Sequence, residues 1–68
     1  MEINIGKTIK ELRLQCGLSQ TTLASMLNTT QDSISLWELG KSWPDIEIVV
    51  KLAKIFGVST DYLLGLEK

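Results

Sequence analysis

Apolar residues along this chain recur at spacings of three and four, the repeat that gathers side chains on one face of an α-helix. Ile5, Ile9, Leu12 and Cys16 form the first such stripe and predict a helix over about 5–16, begun near Asn4 and stopped by Gly17. Leu23, Ala24 and Leu27 predict a second helix over about 20–27, with Ser19 as its N-cap. After the polar break Asn28-Thr29-Thr30 comes a third, 31–38, capped by Thr30. Only Ile34 and Trp37 share its apolar face, while Gln31, Asp32, Ser35 and Leu36 turn the other way. Gly40 ends that helix, and Lys41, Ser42 and Trp43 form a short loop before Pro44.

Asp45 caps a fourth helix, 46–56, with Glu47 in its first turn and Gly57 at its end. Its core face reads as Ile46, Val49, Val50, Ala53 and Phe56. Ser59 caps a last helix over about 60–65, with Tyr62, Leu63 and Leu66 available for packing. The expected fold is all-α: five helices in a single domain spanning 1–68, with no strand and no linker. Ile48 and Ile55 fall opposite the stripe assigned to the core, with Leu52 on the flank. Together with Leu66 they predict either a homodimer interface or a face covered by the C-terminal helix.

Composition narrows the chemistry. The 68 residues include one cysteine and no histidine, which leaves no intrachain disulfide and no Cys/His zinc site. No nucleophile–base set, Gly-rich phosphate loop or metal-ligand spacing is present, so we expect no enzyme activity, no cofactor, no metal and no small-molecule ligand. No apolar run approaches a membrane span and the N-terminus lacks a signal-peptide core, so the expected setting is the cytoplasm, without membrane contact. A formal net charge of −1 argues against a generalised electrostatic grip on nucleic acid. The distribution of cations therefore counts for more than their sum. Lys7 and Lys10 lie on the wetter side of the first helix, and Lys41 sits in the loop after the third.

The stretch LSQTTLASMLNTTQDSISLWELGKSWP, residues 18–44, resembles the helix-turn-helix of the Cro and lambda-repressor-like family, the xenobiotic-response-element type of transcriptional regulator. The shared pattern is L-S-Q-x-x-L-A-x-x-L-x-x-T-x-x-x-I-S-x-W-E-x-G-K-x-x-P, and IVVKLAKIFGVSTDYLL is similar to the family's closing helices. The resemblance implies a compact five-helix lambda-repressor-like domain that binds double-stranded DNA as a homodimer. In that reading helix 31–38 enters the major groove. Gln31 presents a donor and an acceptor to adenine, Asp32 accepts from a cytosine amine, Ser35 offers a small hydrogen-bonding group and Leu36 meets a thymine methyl. Gln20, Lys41, Ser42, Trp43 and Lys10 are the expected phosphate contacts. The resemblance also implies an ion pair between Arg13 and Glu38, joining the first and third helices. Two departures stand out: Asn28 occupies the place of the usual turn glycine, and helix 31–38 carries no Lys or Arg. The missing cations, the acidic Asp32, the outward-facing Leu36 and Leu39 and the net charge of −1 support a rival reading, a protein-interaction module on the same fold that has lost DNA binding.

Overall fold

The computed structural model describes residues 4–66, so the domain limits expected at 1 and 68 lie outside the described residues. Five helices follow in order: α1 (Ile5–Gln15), α2 (Gln20–Met26), α3 (Gln31–Glu38), α4 (Ile46–Phe56) and α5 (Thr60–Leu63). Each begins in the same way. The side chains of Asn4, Ser19, Thr30, Asp45 and Ser59 accept the backbone N–H three residues on, at Lys7, Thr22, Ser33, Ile48 and Tyr62. Such a cap satisfies a helix-end donor that has no partner inside the helix and contributes about 1 kcal/mol.

The helix ends are equally regular. At the end of α2 the chain turns through Asn28 at φ 57°, where the N–H of Thr29 donates to the Ala24 carbonyl at 2.9 Å. This is the six-residue closure that Gly17 makes after α1, where Leu18 N–H reaches the Arg13 carbonyl at 3.0 Å. Asparagine tolerates the left-handed region better than other residues with a Cβ, so the missing turn glycine changes the chemistry of the turn and leaves its geometry intact.

The core draws on every helix: Ile5, Ile9 and Leu12 from α1, Leu23, Ala24 and Leu27 from α2 and its cap, Ile34 and Trp37 from α3, Leu52 and Ala53 from α4, and Leu63 from α5. α1 packs on α3, α4 and α5, while α2 packs on α3 and α4 on α5. The approach of α1 to α3 requires Gly6. A Cβ there would run into the Trp37 carbonyl oxygen, with Trp37 C and Glu38 Cα also at 3.1 and 3.2 Å. All three are backbone atoms, which cannot step aside as a side chain would.

Two expectations fail. Cys16 lies on the α1 stripe by periodicity but is exposed: α1 ends at Gln15, and Cys16 is its C-cap. The α4 face is also rotated from its expected setting. Leu52, assigned to a dimer interface, is 0% exposed in the core, while Ile46, assigned to the core, is 83% exposed and Val50 is exposed beside it. Ile48 and Ile55 are half-buried against the core, and Leu66 is exposed. The charged residues explain the rotation. Opposite the side that carries Glu47, Lys51 and Lys54, and within about 55° of it at ~100° per residue, lie Val49, Leu52, Ala53 and Phe56. No helix among the described residues is long and apolar enough to cross a membrane.

Candidate nucleic-acid interface

α3 is pinned by two large side chains. Ile34 and Trp37 are buried, and the rest of the helix surface is open enough for Gln31, Asp32 and Leu36 to be exposed and Ser35 to be half-buried. All four residues assigned to base reading therefore lie on accessible surface. Asp32, in the first turn, sits favourably against the positive end of the α3 dipole.

A hydrogen-bond chain runs from the core to this surface. Arg13 Nε donates to Glu38 Oε2 at 2.7 Å and Arg13 Nη2 to Glu38 Oε1 at 3.1 Å, a bidentate pair whose side chains are only 9% and 5% exposed. Arg13 Nη1 donates to the Leu18 carbonyl at 2.9 Å, which ties the same guanidinium to the turn before α2. The hydrogen bond from Glu38 holds the Arg13 pKa above its ordinary value; burial acts against this, and the nearby negative charge adds to it. Gln20 Nε2 then donates to Glu38 Oε1 at 3.1 Å, and Gln31 Nε2 donates to Gln20 Oε1 at 2.6 Å. Among the described residues no buried side-chain nitrogen or oxygen is left without a partner.

The expected Arg13–Glu38 pair is thus present. The two glutamines that extend it to the surface were singled out separately, one for phosphate and one for base, and the sequence shows nothing of the bond between them. Both open a helix directly after its N-cap, but only the angle between α2 and α3 brings their amides together.

The other expected phosphate contacts fall into two groups. Ser42 and Trp43 line a cleft of about 270 Å³ with Asn4, Ile5, Gly6, Trp37 and Gly40, so the loop after α3 faces the first turn of α1. Trp43 is 59% exposed there, with its indole largely uncovered. Lys41 is exposed in the same loop, and Lys10 is exposed farther along α1, outside the cleft. Among the described residues no group of three or more His, Cys, Asp or Glu could hold a metal. A second, apolar groove of about 350 Å³ runs between α4 and α5, lined by Pro44, Ile46, Val49, Val50, Thr60 and Leu64.

The sequence and the fold have counterparts among known proteins. The SPbeta prophage-derived uncharacterized HTH-type transcriptional regulator YonR of Bacillus subtilis (strain 168) is 41% identical over 59 residues, 87% of this chain and 55% of that protein. The HTH-type transcriptional regulator ImmR of the same organism is 38% identical over 63 residues, 93% of this chain and 50% of that protein. The chain thus spans about half the length of these curated relatives. Its fold matches the crystal structure of the P22 c2 repressor in complex with synthetic operator 9T with a TM-score of 0.87 at 28% identity, over 98% of this chain and 100% of that one. A family model described as helix-turn-helix matches residues 9–63, the segment that holds α2, α3 and the whole hydrogen-bond chain, and this chain belongs to that helix-turn-helix family.

Proposed function

We propose that this chain is the DNA-binding part of a transcriptional regulator, repressor-like and cytoplasmic, which reads the major groove with α3. The observation that carries the reading is the outward face of α3, where Gln31, Asp32 and Leu36 stand exposed while Gln20 holds Gln31 in place. A glutamine amide offers the donor and acceptor that match adenine N6 and N7. Gln20 keeps its second amide N–H for a phosphate, and Lys41, Ser42 and Trp43 supply further donors from the loop after α3. Lys10 reaches the backbone farther along the duplex. The likeness to a repressor bound to its operator supports this assignment.

The protein works as a homodimer, with one α3 in each of two successive major grooves ~34–36 Å apart. Burial of Leu52 removes it from the interface. Exposed Ile46 and Val50, the groove leading to Leu64, and Leu66 supply apolar surface for self-association, with the half-buried Ile48 and Ile55 adding only their edges.

A second reading keeps some support. Leu39 is 65% exposed at the end of α3, close in sequence to exposed Leu36 and Trp43, and the net charge is −1. That is suitable surface for a protein partner. Selection from random duplexes followed by footprinting separates the two. DNA binding predicts one enriched sequence protected in two half-sites about one helical turn apart. Failure to enrich any sequence favours the protein-interaction module.

A further inference from the structure

We infer that Asp32 makes α3 selective by exclusion: its carboxylate lowers affinity for every base pair that faces it with acceptors, and a cytosine amine at that position relieves the penalty. The inference rests on the DNA-binding reading above and deepens it, turning a residue that argues against DNA binding into a source of specificity.

Asp32 stands exposed in the first turn of α3, and among the described residues its carboxylate has neither a hydrogen-bond nor an ion-pair partner. The next residue, by contrast, is tied down: the Ser33 N–H and hydroxyl both meet Thr30 Oγ1, at 3.2 and 3.0 Å. The side chains one turn on, Ser35 and Leu36, share the face of Asp32 and carry no charge. α3 has no Lys or Arg, and Lys41 lies beyond the far end of the helix, roughly 10 Å away along the axis at ~1.5 Å per residue. That is about one Debye length at physiological salt, so the charge of Asp32 is uncompensated. The helix dipole favours a carboxylate in this turn whether or not DNA is bound, and so does not distinguish one base pair from another.

In the major groove a carboxylate can only accept. A G·C pair presents two acceptors, guanine N7 and O6, and one donor, cytosine N4, at the outer edge of the row. An A·T pair presents its one donor, adenine N6, between the acceptors adenine N7 and thymine O4. At cytosine the carboxylate therefore meets an amine with an acceptor on one side. At adenine it sits between two, and at guanine or thymine it meets acceptors alone. Phosphates border the groove on both sides and add to the repulsion. Each wrong pair leaves a desolvated negative charge opposed by lone pairs, with no cation on α3 to offset it.

Asp32→Ala tests the inference, because alanine forms no side-chain hydrogen bond that could itself attract a base. The residue is exposed and Thr30 supplies the helix cap, so the fold should be retained, which circular dichroism checks. Wild type and variant are titrated at one salt concentration on the selected duplex, its single-position variants and a scrambled duplex. At one position of each half-site the wild type should prefer a C·G pair, and inverting that pair should lower its affinity about 10- to 100-fold. Asp32→Ala should bind the inverted duplex about five- to tenfold more tightly than the wild type does, so that deleting a side chain gains affinity. Guanine carries no methyl group that alanine could contact, which makes this comparison decisive. If the variant loses affinity for the C·G duplex and gains none for the inverted one, Asp32 acts by attraction alone and the inference is overturned. An equal gain on every duplex, the scrambled one included, also overturns it, since that is repulsion from phosphates without regard to base. A wild type that binds no duplex above competitor removes the DNA-binding reading itself, and the exclusion with it.

Discussion

Removing Arg13 should be among the most damaging changes the fold can suffer, and the structure shows why. Arg13→Met deletes three donors at once: Nε and Nη2 from the two Glu38 oxygens, and Nη1 from the Leu18 carbonyl. Glu38 is left with a 5% exposed side chain and Gln20 as its remaining partner, an uncompensated charge in a site that water barely reaches. Breaking a buried pair in this way costs about 3–5 kcal/mol, against about 0–1 for a surface pair. A 68-residue domain has only about 3–10 kcal/mol in total at ~0.05–0.15 per residue. The melting temperature should fall by about 12–24 °C for a 3 kcal/mol loss, at ~4–8 °C per kcal/mol for a domain of this size. Circular dichroism with urea and heat reads the effect, and a cycle with Glu38→Gln isolates the coupling, expected above about 1.5 kcal/mol. The stabilising hydrogen bond raises the Arg13 pKa in the folded state, so its contribution is complete below the unfolded value and is lost only as pH rises through the folded one, in strong alkali. The cost of Arg13→Met should therefore be constant between about pH 6 and pH 10 as far as Arg13 is concerned. A coupling below about 0.5 kcal/mol would show that the pair does not join α1 to α3.

Four further outcomes follow from particular contacts. Gly6→Ala should destabilise by about 1–3 kcal/mol in urea melts despite the better helix propensity of alanine, because its Cβ meets the Trp37 and Glu38 backbone; a neutral result would mean that α1 and α3 can separate at little cost. Asn28→Ala should cost about 1 kcal/mol and Asn28→Gly should be neutral or stabilising, since φ is 57° there; equal effects would remove the turn argument. Sedimentation equilibrium should show Ile46→Glu weakening self-association far more than a change on the charged side such as Lys51→Glu, and an Ile46→Glu chain that dimerises normally excludes the α4–α5 groove. If Lys41 and one of Lys7 or Lys10 neutralise about two phosphates per subunit, log affinity against log salt should slope near −4 for the dimer, and Lys41→Ala should make it shallower by about one per subunit. A slope near −10 would require cations that α3 does not carry.

The helix boundaries were legible because they are set locally. Ser19, Thr30, Asp45 and Ser59 were each expected as N-caps, and each accepts the N–H three residues on. The residues of a cap and its first turn are neighbours in sequence, so no tertiary information is needed. The rotation of α4 was not read correctly because IEIVVKLAKIF is apolar on almost every side, and two stripes fit the same period. Its three charged residues point to the right one, and the side opposite Glu47, Lys51 and Lys54 is the side that packs. Periodicity also gave the direction of Cys16 without telling that α1 ends one residue before it. At the candidate interface, the outward face of α3 could be read from Ile34 and Trp37 alone. The Gln20–Gln31 bond could not, because it depends on the crossing of two helices whose sequences say nothing of their mutual angle.

The central claim is that α3 reads bases through Gln31, and the direct measurement is the affinity of wild type and Gln31→Ala for the selected duplex, its single-position variants and a scrambled duplex, all at one salt concentration. The wild type should prefer the selected over the scrambled duplex by about 10³-fold or more. Gln31→Ala should lose about 1–3 kcal/mol of discrimination at one adenine position and leave the other positions unchanged. A wild type that binds selected and scrambled duplexes equally, or a Gln31→Ala chain with the full specificity of the wild type, would contradict the account.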